Sequence, residues 1–524
     1  MKYRFKHYAF ISVILPVILF LVMMHNFMFK KEQSADENPN ILFIMVDDMN
    51  DWVGYLDGYK GEVYTPNIDR LASTGMAFTN AHVSAPSCTP SRNTVLLGKF
   101  TSTTGLYGND QWWKAAHPDI VSLPQYFKEH GYYSAGAGKV FHHPPGHNPP
   151  VSWNEYQDQV FDDIWNFSRS SPENYWLNYG YRGPMLESPD WHPLHGIEGV
   201  RAPLDWGAIP ENDYEDYGDV RVVDFAKDFL SRDHTSPFFL ALGTYRPHIP
   251  WYAPQKFLDM YPLEDIVLPE TKEKVLDDVP AMGRRFARRG SNDYDRIMET
   301  GKWKEAVQGY LASISFADAV IGQIMDVLEQ SGYLDNTIVV LWSDHGFHLG
   351  TKEHWHKWTL WEESTRIPFI IKAPGVTQPG STTAESVGDI HLYPTLVSLA
   401  GLPEKEGLDG HDLTPLLMNP DSAWEFPAIT IHLEGNAAVR SRHWRYIRYS
   451  DGGEELYDHR NDPNEWYNLA GKPEYSEIIM EHRSWIPETF ASPAGVGTRD
   501  DWFFDPGDYT WLHRETGAFV DGRK

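Results

Sequence analysis

Ser87-Cys88-Thr89-Pro90-Ser91-Arg92 holds the only cysteine of the chain. A lone thiol cannot close an internal disulfide, and it cannot build a multi-thiolate zinc site. A free cysteine is by default a small buried apolar residue, so chemistry at Cys88 requires partners elsewhere. Asp47-Asp48 and Asp344-His345-Gly346 offer three carboxylates and an imidazole. Taken singly, an acidic pair after a strand is a helix cap or a solvated loop. Taken together, the four side chains suit one divalent cation. Carboxylate oxygens favour Ca²⁺ or Mg²⁺, while the imidazole also suits a transition metal.

The elements that must position these residues are legible. Asn40–Val46 is a continuous apolar run, the mark of a strand buried on both faces. It stops at Asp47-Asp48. Tyr132–Gly138 follows the helical segment Leu123–His130 and stops at Lys139, with His142 just beyond. Phe238–Leu242 runs into Arg246-Pro247-His248-Ile249-Pro250, and Thr337–Trp342 runs into Asp344-His345. Before that last strand, Val307, Leu311, Ile314, Ala317, Ile321, Ile324 and Leu328 recur at three or four residues and share one helix face. Helix followed by buried strand, repeated, predicts an α/β fold with a mostly parallel sheet. Sites in such sheets gather outside the carboxyl ends of the strands, where all four runs release polar or ionisable residues.

The Cys-x-Pro-Ser-Arg pattern resembles the type I sulfatases, in which this cysteine becomes formylglycine. Asn40–Asp48 and Thr65–Leu71 resemble the opening of a sulfatase. Lys139-Val140-Phe141-His142, Arg246–Pro250, Ser343–Gly346 and Lys357 resemble the iduronate-2-sulfatase branch. His345 stands where many sulfatases carry Asn, and the Asp-His form is that of this branch. The resemblance implies an alkaline-phosphatase-like α/β sulfatase fold. Its large, mostly parallel central sheet is flanked by helices, and a small C-terminal α+β subdomain carries an antiparallel sheet.

The resemblance also implies a mechanism. Cys88, converted by a formylglycine-generating maturation enzyme, hydrates to a gem-diol and attacks sulfur. One Ca²⁺ is held by Asp47, Asp48, the modified Cys88, Asp344 and His345. The second diol hydroxyl then expels sulfate, a step that serine or unmodified cysteine cannot perform. Lys139 and Lys357 clamp sulfate oxygens, His248 protonates the leaving alcohol, His142 holds the formylglycine hydroxyl, and Arg92 fixes the nucleophile loop. Trp112, Trp113, Arg246, His354 and His356 are candidate substrate contacts, and Asn109 lies close to the first two. The expected reaction is sulfate ester hydrolysis on a sulfated carbohydrate. The rivals are a phosphate or phosphonate monoester hydrolase of the same superfamily and a glycan-binding pseudoenzyme. No nucleophile, metal or lysine position is missing, which disfavours the pseudoenzyme.

Composition bounds the partners. The 524 residues carry a net charge of −28, from 45 basic and 73 acidic side chains. That excludes the basic footprint of non-specific nucleic-acid binding. An anionic substrate therefore requires basic residues concentrated locally. The 20 Trp and 28 Tyr also suit sugar faces. Lys2, Arg4 and Lys6 precede an apolar stretch from Tyr8 to Phe29, which reads as a signal peptide or membrane anchor with a linker to residue 39. Export is expected, to the periplasm, the medium or a tether facing outside the cytoplasm. The expected catalytic domain spans 40–420 and the C-terminal subdomain 421–524. The basic cluster Arg284-Arg285-Arg288-Arg289 suits either attraction of a polyanion or a solvated helix face, the second slightly favoured.

Overall fold

The computed structural model describes residues 38–142, 146–157, 196–197, 200, 204–209, 217–288, 293–497 and 500–524. The basic-apolar start, most of residues 151–215, part of residues 143–150, and Arg289 lie outside the described residues.

Residues 40–524 form one compact unit. Its centre is an eight-stranded sheet. In chain order the strands are β1 (Asn40–Val46), β2 (Met76–Phe78), β3 (Tyr133–Gly138), β4 (Glu155–Gln157), β5 (Phe238–Gly243), β6 (Thr337–Ser343), β7 (Phe369–Lys372) and β8 (Ser381–Thr383). They lie in the order β8-β2-β7-β6-β1-β5-β3-β4. The four apolar runs are thus adjacent, and every pairing among them is parallel. Only β7 runs against its neighbours.

The continuous apolar pattern of β1 has a direct cause. Successive side chains leave a strand on opposite faces. Leu42, Ile44 and Val46 enter one core, and Ile41, Phe43 and Met45 enter the other. Each buried Leu or Ile stabilises by about 1.5–3 kcal/mol. On the first face lies α6 (Trp303–Ser331), with all seven residues of its apolar stripe buried. On the second lie α1 (Cys88–Leu97), α2 (Leu123–Glu129) and α7 (Leu392–Leu399).

The C-terminal part contains a four-stranded antiparallel meander of β9 (Ala428–Ile431), β10 (Ala437–Arg440), β11 (Trp444–Arg448) and β12 (Glu454–Asp458). One face packs with α8 (Ser476–Arg483) through Ile479. The other face, through Ala438, Ile447 and Tyr457, covers Leu360 and Trp361 just beyond Lys357. A further antiparallel sheet, β13 (Trp502–Asp505), β14 (Thr510–His513) and β15 (Phe519–Asp521), packs on Trp112. The sequence pattern did not reveal this sheet.

Candidate active site

The acidic residues are placed by strand register. Val46 pairs with Ser343, so Asp47-Asp48 leaves the sheet beside Asp344-His345. Asp344 N donates to Val46 O at 3.1 Å. Asp48 N donates to Asp344 Oδ1 at 3.1 Å, and Met49 N donates to Ser343 Oγ at 3.0 Å. Asp48 has φ 62°, a left-handed backbone that Asp tolerates better than most residues. The Tyr310 hydroxyl of α6 fixes that turn by donating to Asp48 O at 2.7 Å.

Cys88 opens α1, and all ten residues of this helix are buried. Arg92 lies one turn on, so it shares a face with Cys88. Its Nε donates to Asp344 Oδ2 at 2.7 Å, and its Nη1 donates to Lys139 O and Val140 O. One guanidinium thereby ties the Cys88 helix to the ends of β6 and β3. Asn109 holds the other side, with Oδ1 accepting from Ser87 Oγ at 2.9 Å and Thr89 N at 3.1 Å. Asp389 braces the approach, accepting from Ser84 N, Ser84 Oγ and Ser91 Oγ.

The Cys88 thiol is the hub. Asp47 Oδ1 is 3.6 Å from Sγ, His345 Nε2 is 3.3 Å away, and Lys357 Nζ is 3.1 Å away. Lys357 also donates to Asp48 Oδ1 at 2.6 Å, while Lys139 pairs with Asp47 Oδ2. His345 Nε2 lies 3.3 Å from Asp48 Oδ1 and 3.5 Å from Asp344 Oδ1. His248 Nε2 lies 3.9 Å from Asp48 Oδ2, with its Nδ1 2.6 Å from Ile249 O. These groups are all buried. Burial opposes ionisation of Asp47, but Lys139, Arg92 and Lys357 hold its carboxyl below the ordinary value. Burial pushes Asp48 up to about 7 against the pull of Lys357 and His345. Burial would lower Lys357, yet Asp48 and Cys88 hold it above the ordinary lysine value. Burial raises the Cys88 thiol and keeps His345 below the usual imidazole value.

A sulfatase family profile matches residues 39–402. The chain belongs to the sulfatase family. A second profile, N-sulphoglucosamine sulphohydrolase C-terminal, matches residues 350–490. The sulfatase is 36% identical over 480 residues to a sulfatase of Formosa agariphila, covering 88% of this chain and 89% of the relative. It is 29% identical over 470 residues to an ulvan-active sulfatase of the same organism, with 86% and 81% covered. It is 32% identical over 408 residues to iduronate 2-sulfatase of Homo sapiens, with 70% of each chain covered. Among solved structures, a phosphonate monoester hydrolase of Agrobacterium radiobacter superposes with TM-score 0.68 at 20% identity, covering 85% of this chain and 94% of that one. A protein in complex with its substrate D-glucosamine-2-N,6-O-disulfate superposes with TM-score 0.64 at 22% identity, covering 86% and 96%. These two likenesses establish the fold.

The other candidates of the sulfatase sequence make contacts of their own. His142 lies three residues past Lys139, buried, with its ring 5.2 Å from that of His147. Arg246 is buried with Nε donating to Tyr252 O at 3.0 Å. Trp113 is fully buried, stacks on Phe141 at 5.2 Å and donates to His147 O. Trp112 is buried and packed against Phe504 and Trp511 of the last sheet. The Nδ1 of His354 lies 2.6 Å from Ala287 O and its Nε2 lies 2.8 Å from Lys357 O, so His354 braces the lysine loop. His356 lies one residue before Lys357, with Nε2 2.8 Å from Asp293 Oδ2. Sequence reasoning missed Asp389 and the indole of Trp358, which donates to Ser87 Oγ at 3.3 Å. Both lie far in the chain from Cys88, and only the fold brings them to it.

Proposed function

We propose that this sulfuric ester hydrolase removes sulfate from a sulfated poly- or oligosaccharide with a formylglycine made from Cys88. One observation carries the reading: Cys88 Sγ stands within 3.6 Å of a lysine, an imidazole and a carboxylate at once. The relatives support the substrate class, among them an ulvan-active sulfatase and an N-acetylglucosamine-6-O-sulfatase.

The residues present fit a divalent cation. Ligand atoms of Asp47, Cys88, Asp344 and His345 lie within 4.8 Å of one another, as do those of Asp47, Asp48, Cys88 and His248. Asp48 Oδ2 is buried and accepts no hydrogen bond. Asp47, Asp48, Asp344 and His345 would hold the ion, and the carboxylate-rich set favours Ca²⁺. When bound, it supplies a Lewis acid beside the reacting oxygens.

In the proposed reaction a separate maturation enzyme oxidises the Cys88 side chain to an aldehyde, which hydrates. One hydroxyl oxygen bonds to sulfur as the S–O bond to the sugar breaks. His248 gives the departing oxygen its proton. The other hydroxyl loses its proton as the carbon–oxygen bond to sulfate breaks, which restores the aldehyde. Lys139 and Lys357 face charge developing on the sulfuryl oxygens, where fixed donors count most. His142 holds the diol and Arg92 holds the loop. The basic-apolar N-terminus supports export toward extracellular glycans.

Intact mass of the mature chain is expected to show loss of H₂S and gain of one oxygen. Wild type made in a maturation-competent host should release sulfate from sulfated oligosaccharides and from an aryl sulfate, faster than phosphate from an aryl phosphate. Cys88→Ala should release none. A preference for the phosphate ester, or undiminished activity in Cys88→Ala, overturns the reading.

A further inference from the structure

Two energetic costs meet at His356. Its backbone has φ 91°, and a non-glycine residue held there costs about 1–3 kcal/mol. Its ring is buried, and Nδ1 has no hydrogen-bond partner, which costs about 1–3 kcal/mol more. The surroundings show why the residue stays in place. Its Nε2 is fixed by Asp293 Oδ2 at 2.8 Å, with only 1% of the Asp293 side chain exposed. Asp293 opens α5 (Asp293–Thr300). The loop is left-handed at Gly350, Lys352, Glu353, His356 and Trp358. Such clustering of unfavourable backbone marks functional segments.

The location is equally specific. The next residue, Lys357, reaches Cys88 Sγ at 3.1 Å. The ring of His356 lies 5.6 Å from that of Trp358, whose indole donates to Ser87 on the nucleophile loop. A carboxylate only accepts hydrogen bonds, so Asp293 sets the tautomer with the proton on Nε2. With Nε2 turned to Asp293, Nδ1 is the ring nitrogen left to accept. That atom lacks a partner until a donor arrives.

We propose that His356, oriented by Asp293, is a specificity-determining residue whose Nδ1 accepts a hydrogen bond from a hydroxyl of the substrate sugar. The inference rests on the sulfatase reading above and adds the group that reads the sugar rather than the sulfate. The unmet nitrogen and the left-handed backbone are tolerated because the substrate supplies the missing partner. An aryl sulfate has no such hydroxyl and gains nothing from it.

The test compares two probes, ulvan or glycosaminoglycan-derived sulfated oligosaccharides and 4-nitrophenyl sulfate, with wild type and two variants. His356→Gln keeps a group that can reach Asp293 and removes the nitrogen at Nδ1. His356→Asn tolerates the left-handed backbone and places an amide near Nδ1. Expected for His356→Gln is a fall of about tenfold or more in kcat/KM on the oligosaccharides, the worth of one hydrogen bond. On 4-nitrophenyl sulfate the change should stay within about twofold, which also shows that the protein is folded. His356→Asn should recover part of the loss on the oligosaccharides alone. Equal losses on both probes, or none on the oligosaccharides, overturn the proposal. So does a wild type that hydrolyses the aryl sulfate and none of the sulfated sugars. Sulfate release by wild type from neither probe overturns the underlying sulfatase reading, and this inference with it.

Discussion

Lys357 touches two groups at once, Asp48 Oδ1 at 2.6 Å and Cys88 Sγ at 3.1 Å. Both keep its ammonium charged although burial works against charge. In the proposed reaction a fixed positive charge beside Cys88 stabilises the sulfuryl group most where negative charge grows on it. Removing one such donor typically costs about 10²–10³ in rate. Lys357→Met is therefore expected to lower kcat by about that factor with a smaller change in KM. Lys357→Arg should not restore it, because the planar fork cannot replace a compact point charge in a fully packed site. Steady-state kinetics on an aryl sulfate checks both. An arginine variant with near-wild-type kcat would show that charge alone suffices. At this scale the sequence was informative where chemistry and neighbours in the chain coincide. Cys88 and Arg92 share a helical turn, and Asp47, Asp48, Asp344 and His345 follow apolar runs. It was silent where a role depends on a distant partner. Nothing around His354 foretells Ala287 O, and nothing around Trp113 foretells Phe141.

The helix that Cys88 opens is positioned by Asp389 through Ser84 and Ser91. Asp389 accepts from Ser84 and Ser91, and burial pushes its carboxyl up to about 7. The folded protein then holds a proton on Asp389 that the unfolded chain, titrating near the ordinary 3.8, has lost. Between about pH 4 and 7 the folded state binds more protons, so this group's contribution to stability falls as pH rises, by up to about 1.4 kcal/mol per pH unit. Asp389→Asn removes that contribution. The difference between wild-type and variant unfolding free energies should therefore move against wild type from pH 4 to 7 and level off above. Denaturant titrations across that range measure it, and a flat difference would refute it. Element legibility followed burial pattern. The four central strands were readable because a strand covered on both faces is apolar throughout. The last sheet was not. Its strands are three or four residues long and leave Phe503, Leu512 and Phe519 exposed, so apolar residues on both sides erase the period of two.

Across the whole molecule, the C-terminal meander is stitched to the catalytic sheet through charge. Arg445 of β11 pairs with Glu362, and its Nε lies 2.6 Å from Glu465 Oε1. Arg440 Nε reaches Glu362 at 3.1 Å, and Lys352 of the lysine loop donates to Glu465 O. The loop that presents Lys357 is thus clamped from the C-terminal side. The same molecule carries −28 net charge, yet the proposed substrate is a polyanion. At the site, Arg92, Lys139 and Lys357 are each paired with acids, so they attract sulfate at contact distance and project little field outward. Encounter is then governed by the long-range repulsion of the whole surface. The screening length shrinks from about 30 Å at 0.01 M salt to about 8 Å at 0.15 M. Raising salt across that interval should increase kcat/KM for a sulfated polysaccharide by about twofold or more. For a singly charged aryl sulfate the rise should be smaller, because the repulsion scales with substrate charge. A fall in kcat/KM with salt would instead show that a local basic surface steers the polymer in, against the net charge of the protein.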